Sequence, residues 1–266
     1  MLNDIMLGQY LDRDSIVHKL DPRIKILLVF LFIIILFISE NFLGYLILGG
    51  FIILSTLVSK IEFKYILKSL KPLLFIISFT LIIHLFLTKG GEVIWEWKFL
   101  SIEERGLNLG LFMAVRLIFL ITFTSLLTLT TSPLELTDGL EKLLDPFKRF
   151  GVPAHELAMM MTIALRFIPT LLEESEKILK AQKARGADFE SGNLIQKAKS
   201  LIPLLVPLFV SAFRRADDLA LAMEARCYRG GEGRTRMNEL KLSRLDYIIG
   251  IVITVFLIAV AIFTHS

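Results

Sequence analysis

The chain has 266 residues, of which 55% are hydrophobic and 21% charged, with a mean hydropathy of +0.67. Soluble domains carry roughly 45–50% apolar and about 25% charged residues, so the surplus excludes a disordered chain, a small disulfide scaffold and most water-soluble enzymes. The net charge of +4 fits cytoplasmic loops rich in Lys and Arg, and no nucleic acid is expected as a partner. Cys227 is the single cysteine and the histidines are scattered, so neither a disulfide framework nor a metal-ligand set is expected.

Five segments read as membrane spans, each needing roughly 20 largely apolar residues. They are Ile24–Ser39, Phe42–Val58, Pro72–Leu87, Leu107–Thr131 and Asp246–Thr264. Asp21 stands as the N-cap of the first, with Pro22 as its first helical residue. Arg23 and Lys25 are placed to snorkel at its start. The polar stretch before Ile24 does not read as a secretory leader.

Loop charges set the orientation. The N-terminal flank carries Arg13, Lys19, Arg23 and Lys25, and the link after the second span carries Lys60, Lys64, Lys68 and Lys71. Both belong inside, which makes the N-terminus cytoplasmic. The Glu40–Asn41 link and the loop 88–106 belong outside, with Trp95 and Trp97 as interfacial anchors.

Residues 132–245 then form a cytoplasmic stretch of three helices, within which the apolar segments 157–172 and 201–213 are open to two readings, dipping into the membrane or lying at its surface. The first opens on Ser132-Pro133-Leu134-Glu135, a capping box, and runs to about Phe150 with a break at Asp145-Pro146. The second covers 154–185, with Pro169 inside. The third covers 194–228, with Pro203 and Pro207 bending its early part. Leu205, Leu208, Phe209, Ala212, Phe213, Ala216, Leu219 and Met223 recur at three- and four-residue steps along it, as one apolar stripe.

The second and third helices share their endings: Ala184-Arg185-Gly186 and Ala225-Arg226-Cys227. Two readings stand side by side. A terminal Arg complements the helix dipole for about 0.3–1 kcal/mol, and Gly is an ordinary residue just past a helix end. Two such ends in tandem are also two basic plugs, each able to pair bidentately with carboxylates of an acidic pocket.

Together with these motifs, the opening Gly8-Gln9-Tyr10, Ser15, His18, Leu20-Asp21-Pro22-Arg23 and Lys25 resembles the transmembrane T component of energy-coupling factor transporters, the family that includes the cobalt-uptake permease subunit. The resemblance covers nearly the whole chain. It departs at Cys227, where the family usually has Gly. It implies an all-α, polytopic cell-membrane protein with about five transmembrane helices and long cytoplasmic coupling helices. Its parts would be a four-span bundle (1–131), a coupling region (132–245, with helices 132–150, 154–185 and 194–228) and a last transmembrane helix (246–266). It further implies a non-catalytic scaffold that joins two ABC-type ATPases to one substrate-binding S component, for uptake of a vitamin or transition-metal ion. ATP and Mg would be bound by the partner ATPases, not by this chain. Arg185 and Arg226, with Ala184, Gly186, Ala225 and Cys227, would dock into the ATPases. Leu205, Leu208, Phe209 and Phe213 would face the S component.

No P-loop, dinucleotide fingerprint or nucleophile elbow is present. Asp21, Pro22, Arg23 and Arg116 are assigned structural roles in the membrane. Arg116, deep in the fourth span, reads as a buried pair or carbonyl contact, and His84 as structural. Glu173, Glu174 and Glu176 read as a solvated face with i,i+4 lysines, and Asp217 and Asp218 after Arg214 and Arg215 read likewise. The competing class is a stand-alone secondary transporter or channel, which calls for paired intramembrane charges around a midplane site.

Overall fold

The computed structural model describes residues 10–39, 41–97, 100–189, 193–230 and 240–265, with the backbone alone for 94–97, 100–102, 194 and 265. Gly8, Gln9, Glu40 and the side chains of Trp95 and Trp97 thus lie outside the described residues. The elements are α1 (Ile16–Lys19), α2 (Pro22–Ile38), α3 (Phe42–Val58), α4 (Phe63–Leu70), α5 (Leu74–Leu87), β1 (Val93–Trp97), β2 (Leu100–Glu103), α6 (Glu104–Thr130), α7 (Pro133–Leu144), α8 (Ala154–Ala184), α9 (Leu194–Ser200), α10 (Ile202–Ala225) and α11 (Arg244–His265). The protein is an all-α polytopic membrane protein whose helices are interrupted by one small antiparallel hairpin, β1–β2. It divides into two compact units, one holding Gly8–Gly139 with Leu240–Ser266, the other holding Leu140–Glu239.

In the first unit, α2, α3, α6 and α11 share one core. Phe32, Ile35 and Leu36 of α2 are buried against Leu48 and Ile52 of α3, Phe123 and Leu126 of α6, and Leu257 of α11. The Phe32 and Phe123 ring centroids lie 4.2 Å apart, in direct contact between α2 and α6. Helices α5 and α6 approach at backbone level. A Cβ at Gly106 would fall 2.7 Å from the Thr88 carbonyl oxygen and 2.8 Å from that of His84, so a side chain there would separate the two helices. On the outside, Phe30, Ile34, Leu46, Phe75, Phe79 and Val255 are exposed. Such a continuous apolar exterior belongs against lipid rather than water.

Polar seams close both ends of this unit. At the start of α2, Asp21 caps the helix through the Arg23 N–H, at 2.9 Å, and pairs with the Arg23 guanidinium at 2.9 and 2.7 Å. Arg23 also donates to the Leu240 carbonyl, and the Asp21 N–H donates to Asp246 at 3.0 Å. Ser243 and Asp246 form a reciprocal cap at the start of α11. Lys25 does not snorkel as expected. It is only 6% exposed and donates to the carbonyls of His18 and Thr130 and to the Thr131 hydroxyl, so acceptors from α1 and the end of α6 take the place of water. At the opposite end, Asn41 donates to the Thr264 carbonyl at 2.9 Å. Helices α2 and α11 therefore run parallel, start beside start and end beside end.

Several boundaries differ from the sequence reading. The lysine-rich link 60–71 holds the amphipathic α4, and a 3-10 turn at Lys71–Leu73 joins it to α5. Pro72 accounts for that turn, since it lacks an N–H to continue the α-helical pattern. The break expected at Asp145-Pro146 is a 3-10 segment, Asp145–Phe150, that ends on left-handed Gly151. The helix expected over 194–228 is two: α9 stops at Ser200, and α10 begins at Ile202 with Pro203 in its first turn, the position proline favours.

By length and composition, five helical stretches can cross a membrane: Phe63–Leu87, Glu104–Thr130, Ala154–Ala184, Ile195–Ala225 and Arg244–Thr264. Three of these contain spans expected from sequence. The two 17-residue helices α2 and α3 are about 26 Å long at 1.5 Å per residue. They fall short of the other five although their faces are as apolar. Conversely, α8 and α9–α10 are also apolar enough to qualify, because apolar residues dominate their N-terminal parts, the segments 157–172 and 201–213 that the sequence leaves open.

Candidate functional site

Within the second unit, α8 and α10 lie side by side and antiparallel. Three contacts fix this order. His155 Nε2, at the start of α8, is 3.2 Å from the Tyr228 hydroxyl, just past α10. Glu174 accepts from Arg215 at 3.0 Å. Gln182, near the end of α8, donates to the Pro203 carbonyl at the start of α10. The Glu173–Glu176 group is therefore not only a solvated face, since Glu174 ties the two helices together through Arg215. The 41-residue spacing of that pair hides it from any reading based on neighbours within one helix.

The two motif ends have the same backbone. Arg185 closes α8 at φ −86°, ψ 7°, and Arg226 closes α10 at φ −91°, ψ 12°. Gly186 and Cys227 then take left-handed conformations, at φ 85° and 55°. After α8, the Ala187 N–H donates to the Gln182 carbonyl and the Gly186 N–H to that of Lys183. After α10, the Tyr228 N–H donates to the Met223 carbonyl and the Cys227 N–H to that of Glu224. Each is a Schellman ending, which satisfies carbonyls the helix leaves open. The departure from glycine at Cys227 thus leaves the geometry intact. Its side chain is exposed.

Arg185 and Arg226 are both exposed, and neither joins an ion pair among the described residues. Because the helices are antiparallel, the two ends are far apart. His155 stands beside the residue two past Arg226, and 30 residues separate it from Arg185. At 1.5 Å per residue that is roughly 45 Å along the axis. Two guanidinium groups so far apart cannot share one small pocket, whereas each can enter a pocket of its own.

One motif is anchored from below. The buried His155 ring lies 3.0 Å from Glu141 through Nδ1 and reaches Tyr228 through Nε2, with side-chain exposures of 12% for His155 and 8% for Glu141. This chain fixes the residue that completes the Arg226 cap. Sequence reasoning missed it, since its members are 14 and 73 positions apart. Asp246 was also missed, although Ser243-x-x-Asp246 carries the capping signal.

Of the expected apolar stripe on α10, Leu205, Phe209 and Phe213 are 46%, 60% and 69% exposed, while Leu208, Ala212, Leu219 and Met223 are half-buried. The stripe is thus wider than one contact line. Part of it turns inward within the unit, and part is left uncovered. In the first unit, Arg116 meets the expected carbonyl contact, donating to the Tyr45 hydroxyl at 2.8 Å and the Ser39 carbonyl at 3.3 Å. His84 lies 3.2 Å from the Thr88 hydroxyl. No group of His, Cys, Asp and Glu that could hold a metal occurs among the described residues.

The model of a family described as cobalt transport protein (CbiQ) matches residues 13–237. Among curated relatives, the chain is 61% identical over 249 residues to the energy-coupling factor transporter transmembrane protein EcfT of Clostridium kluyveri, covering 93% of this chain and 92% of that one. The protein of the same name from Acidaminococcus fermentans is 55% identical over 261 residues, 98% of this chain and 97% of its own. That of Bacillus subtilis is 49% identical over 240 residues, 90% and 91%.

Proposed function

The chain belongs to the CbiQ cobalt transport protein family, and from that premise we propose that it is the scaffold of an energy-coupling factor importer, holding two ABC-type ATPases and one substrate-binding S component. The cargo class is a micronutrient, a vitamin or a transition-metal ion. The scaffold lies in the cell membrane with its N-terminus in the cytoplasm, as the lysine-rich link 60–71 favours. It carries no chemistry of its own, and ATP and Mg are bound by its partners.

The observation that carries this reading is the pair of identical helix ends, Arg185 and Arg226, at opposite ends of an antiparallel pair. A lever that transmits force needs an end that does not slip. Arginine stays charged, and its planar fork matches a carboxylate in two places at once. A hydrogen bond to a charged partner contributes about 1.5–3 kcal/mol. The left-handed residue after each arginine stops the helix there and leaves the arginine exposed at its end. One ATPase takes Arg185 and the other Arg226. When ATP draws the two ATPases together, the helix pair is loaded from both ends. The exposed Leu205, Phe209 and Phe213, with Leu208 beside them, grip the S component through apolar contact and pass the motion on.

The stoichiometry tests this. The chain is co-expressed with the cassette ATPases and S components of its host and the intact assembly weighed by native mass spectrometry. One scaffold, two ATPases and one S component is the expected mass. A stable assembly with a single ATPase, or with none, contradicts the proposal.

A further inference from the structure

Arg116 is the one charged residue in α6 beyond its first turn. Its partners are all neutral: the Tyr45 hydroxyl, the Ser39 carbonyl and, at 3.9 Å, the Met113 sulfur. The guanidinium also lies 5.2 Å from the Phe37 ring centroid. Among the described residues it joins no ion pair. Three of the five donors of an arginine are used, and its charge is unmatched. Its partners leave the charge open to an anion from outside the described residues, to which the remaining N–H groups can donate charge-assisted hydrogen bonds.

The depth of the group says which anion. Helices α2 and α3, about 26 Å long, nearly match the roughly 30 Å hydrocarbon core, which puts the turn between them at the headgroup level. Arg116 reaches the carbonyl of Ser39, the residue that closes α2. Thr264, near the end of α11, meets the same turn through Asn41. Helix α6 continues for 12 residues from Arg116 back to Glu104, about 18 Å, and stands above the turn as a wall. A recess of about 630 Å³ opens between them, lined by Tyr45, Glu104, Arg105, Asn108, Phe112 and Arg116 among others. Arg105, Asn108, Phe112 and Arg116 follow one another at three- and four-residue steps on one face of α6. Two arginines against one glutamate leave a single positive charge, the complement of one phosphodiester.

We propose that this recess is a binding site for the phosphate of a membrane phospholipid, with Arg116 at its floor and Arg105 and Asn108 along its wall. The phosphate accepts the uncommitted guanidinium N–H groups. The glycerol end of the lipid packs on Tyr45 and Phe112, and the acyl chains leave over the exposed Leu43 and Leu46. The lipid thereby fixes the α2–α3 turn against α6.

The test uses the full chain, purified and delipidated in detergent, and native mass spectrometry with dioleoylphosphatidylglycerol or the diacylglycerol with the same chains. One phosphatidylglycerol should be retained about tenfold more strongly than diacylglycerol, the size of one charge-assisted contact. Arg116→Gln should abolish that preference, and Arg105→Gln and Asn108→Leu, which alter only the wall, should each weaken it. In Glu40→Gln the preference should persist, since Glu40 is the nearest carboxylate in sequence to Ser39. Equal retention of the two lipids, or an unchanged preference in both Arg105→Gln and Arg116→Gln, overturns the assignment. So does full displacement by millimolar inorganic phosphate, which identifies a soluble anion. Cross-linking from Asn108→Cys to a partner subunit, with no lipid preference, identifies a protein carboxylate instead.

Discussion

Cys227 stands in α10 where Gly186 stands in α8: one residue past the arginine, left-handed, with its N–H on the carbonyl three residues back. Glycine accepts that conformation without cost, while a residue with a Cβ loses about 1–2 kcal/mol. Cys227→Gly should therefore tighten the last turn of α10, and Gly186→Ala should loosen that of α8 by a similar amount. A Cβ at Gly186 meets nothing within 4 Å, so only the backbone conformation acts. Hydrogen exchange at the Tyr228 and Ala187 amides reads both effects; unchanged protection in both variants contradicts the shared cap.

The Glu141–His155–Tyr228 chain predicts that Arg226 can be weakened without being touched. Tyr228→Phe removes one hydrogen bond, about 0.5–1.5 kcal/mol, and frees the residue that completes the cap. ATPase retention should fall by roughly threefold to tenfold. His155→Leu should do the same, and neither should disturb exchange at the Arg185 end. If both variants retain ATPases as the parent does, the chain is only packing.

Lys25 predicts a stability effect far from either motif. Its ammonium satisfies two carbonyls and one hydroxyl in a buried site. Lys25→Met keeps the length of the side chain and leaves those acceptors unpaired, at roughly 1–3 kcal/mol for such a group. The detergent-solubilised variant should melt several degrees lower, and an unchanged melting temperature would exclude this role.

His18 predicts a pH response at the N-terminal edge. Its ring lies 2.6 Å from the Ser15 hydroxyl and 3.0 Å from the Leu11 carbonyl. Burial holds its pKa below the usual 6.5, against the opposing pull of the Leu11 carbonyl. The unfolded segment then binds the proton more readily than the folded one. Stability is full above about pH 6.5 and declines as the pH falls toward the lowered folded value. Exchange at residues 15–19, corrected for its intrinsic pH dependence, should rise between pH 7 and 5. The rise should be absent in His18→Gln.

Much of this was legible in residues close together in sequence. The Asp21–Pro22 start of α2 and the Ser132–Glu135 capping box appear as read, the latter with hydrogen bonds of 3.0 and 3.2 Å. Caps depend on spacings of two or three residues, which a sequence displays. The paired ends at Arg185 and Arg226 were legible for the same reason. What stayed hidden joins distant positions: Glu174 with Arg215, His155 with Tyr228, Asp21 with Asp246. Lys25 shows the same limit, since a lysine near a helix start reads as solvated until His18 of α1 and Thr130 and Thr131 at the end of α6 supply three acceptors. The hairpin at Val93–Glu103 was read as a plain loop, its alternation too short to stand out between two apolar helices.

The central claim is that Arg185 and Arg226 hold the ATPases. The direct measurement is co-purification in mild detergent of the host's cassette ATPases with the parent chain and with the Arg185→Glu/Arg226→Glu double variant. Both reversals lie on exposed positions outside the first unit's core, so insertion should be normal. The account predicts that the parent retains the ATPases and the double variant loses them. ATPases retained by the double variant at the parent's level, or absent from the parent itself, would contradict it.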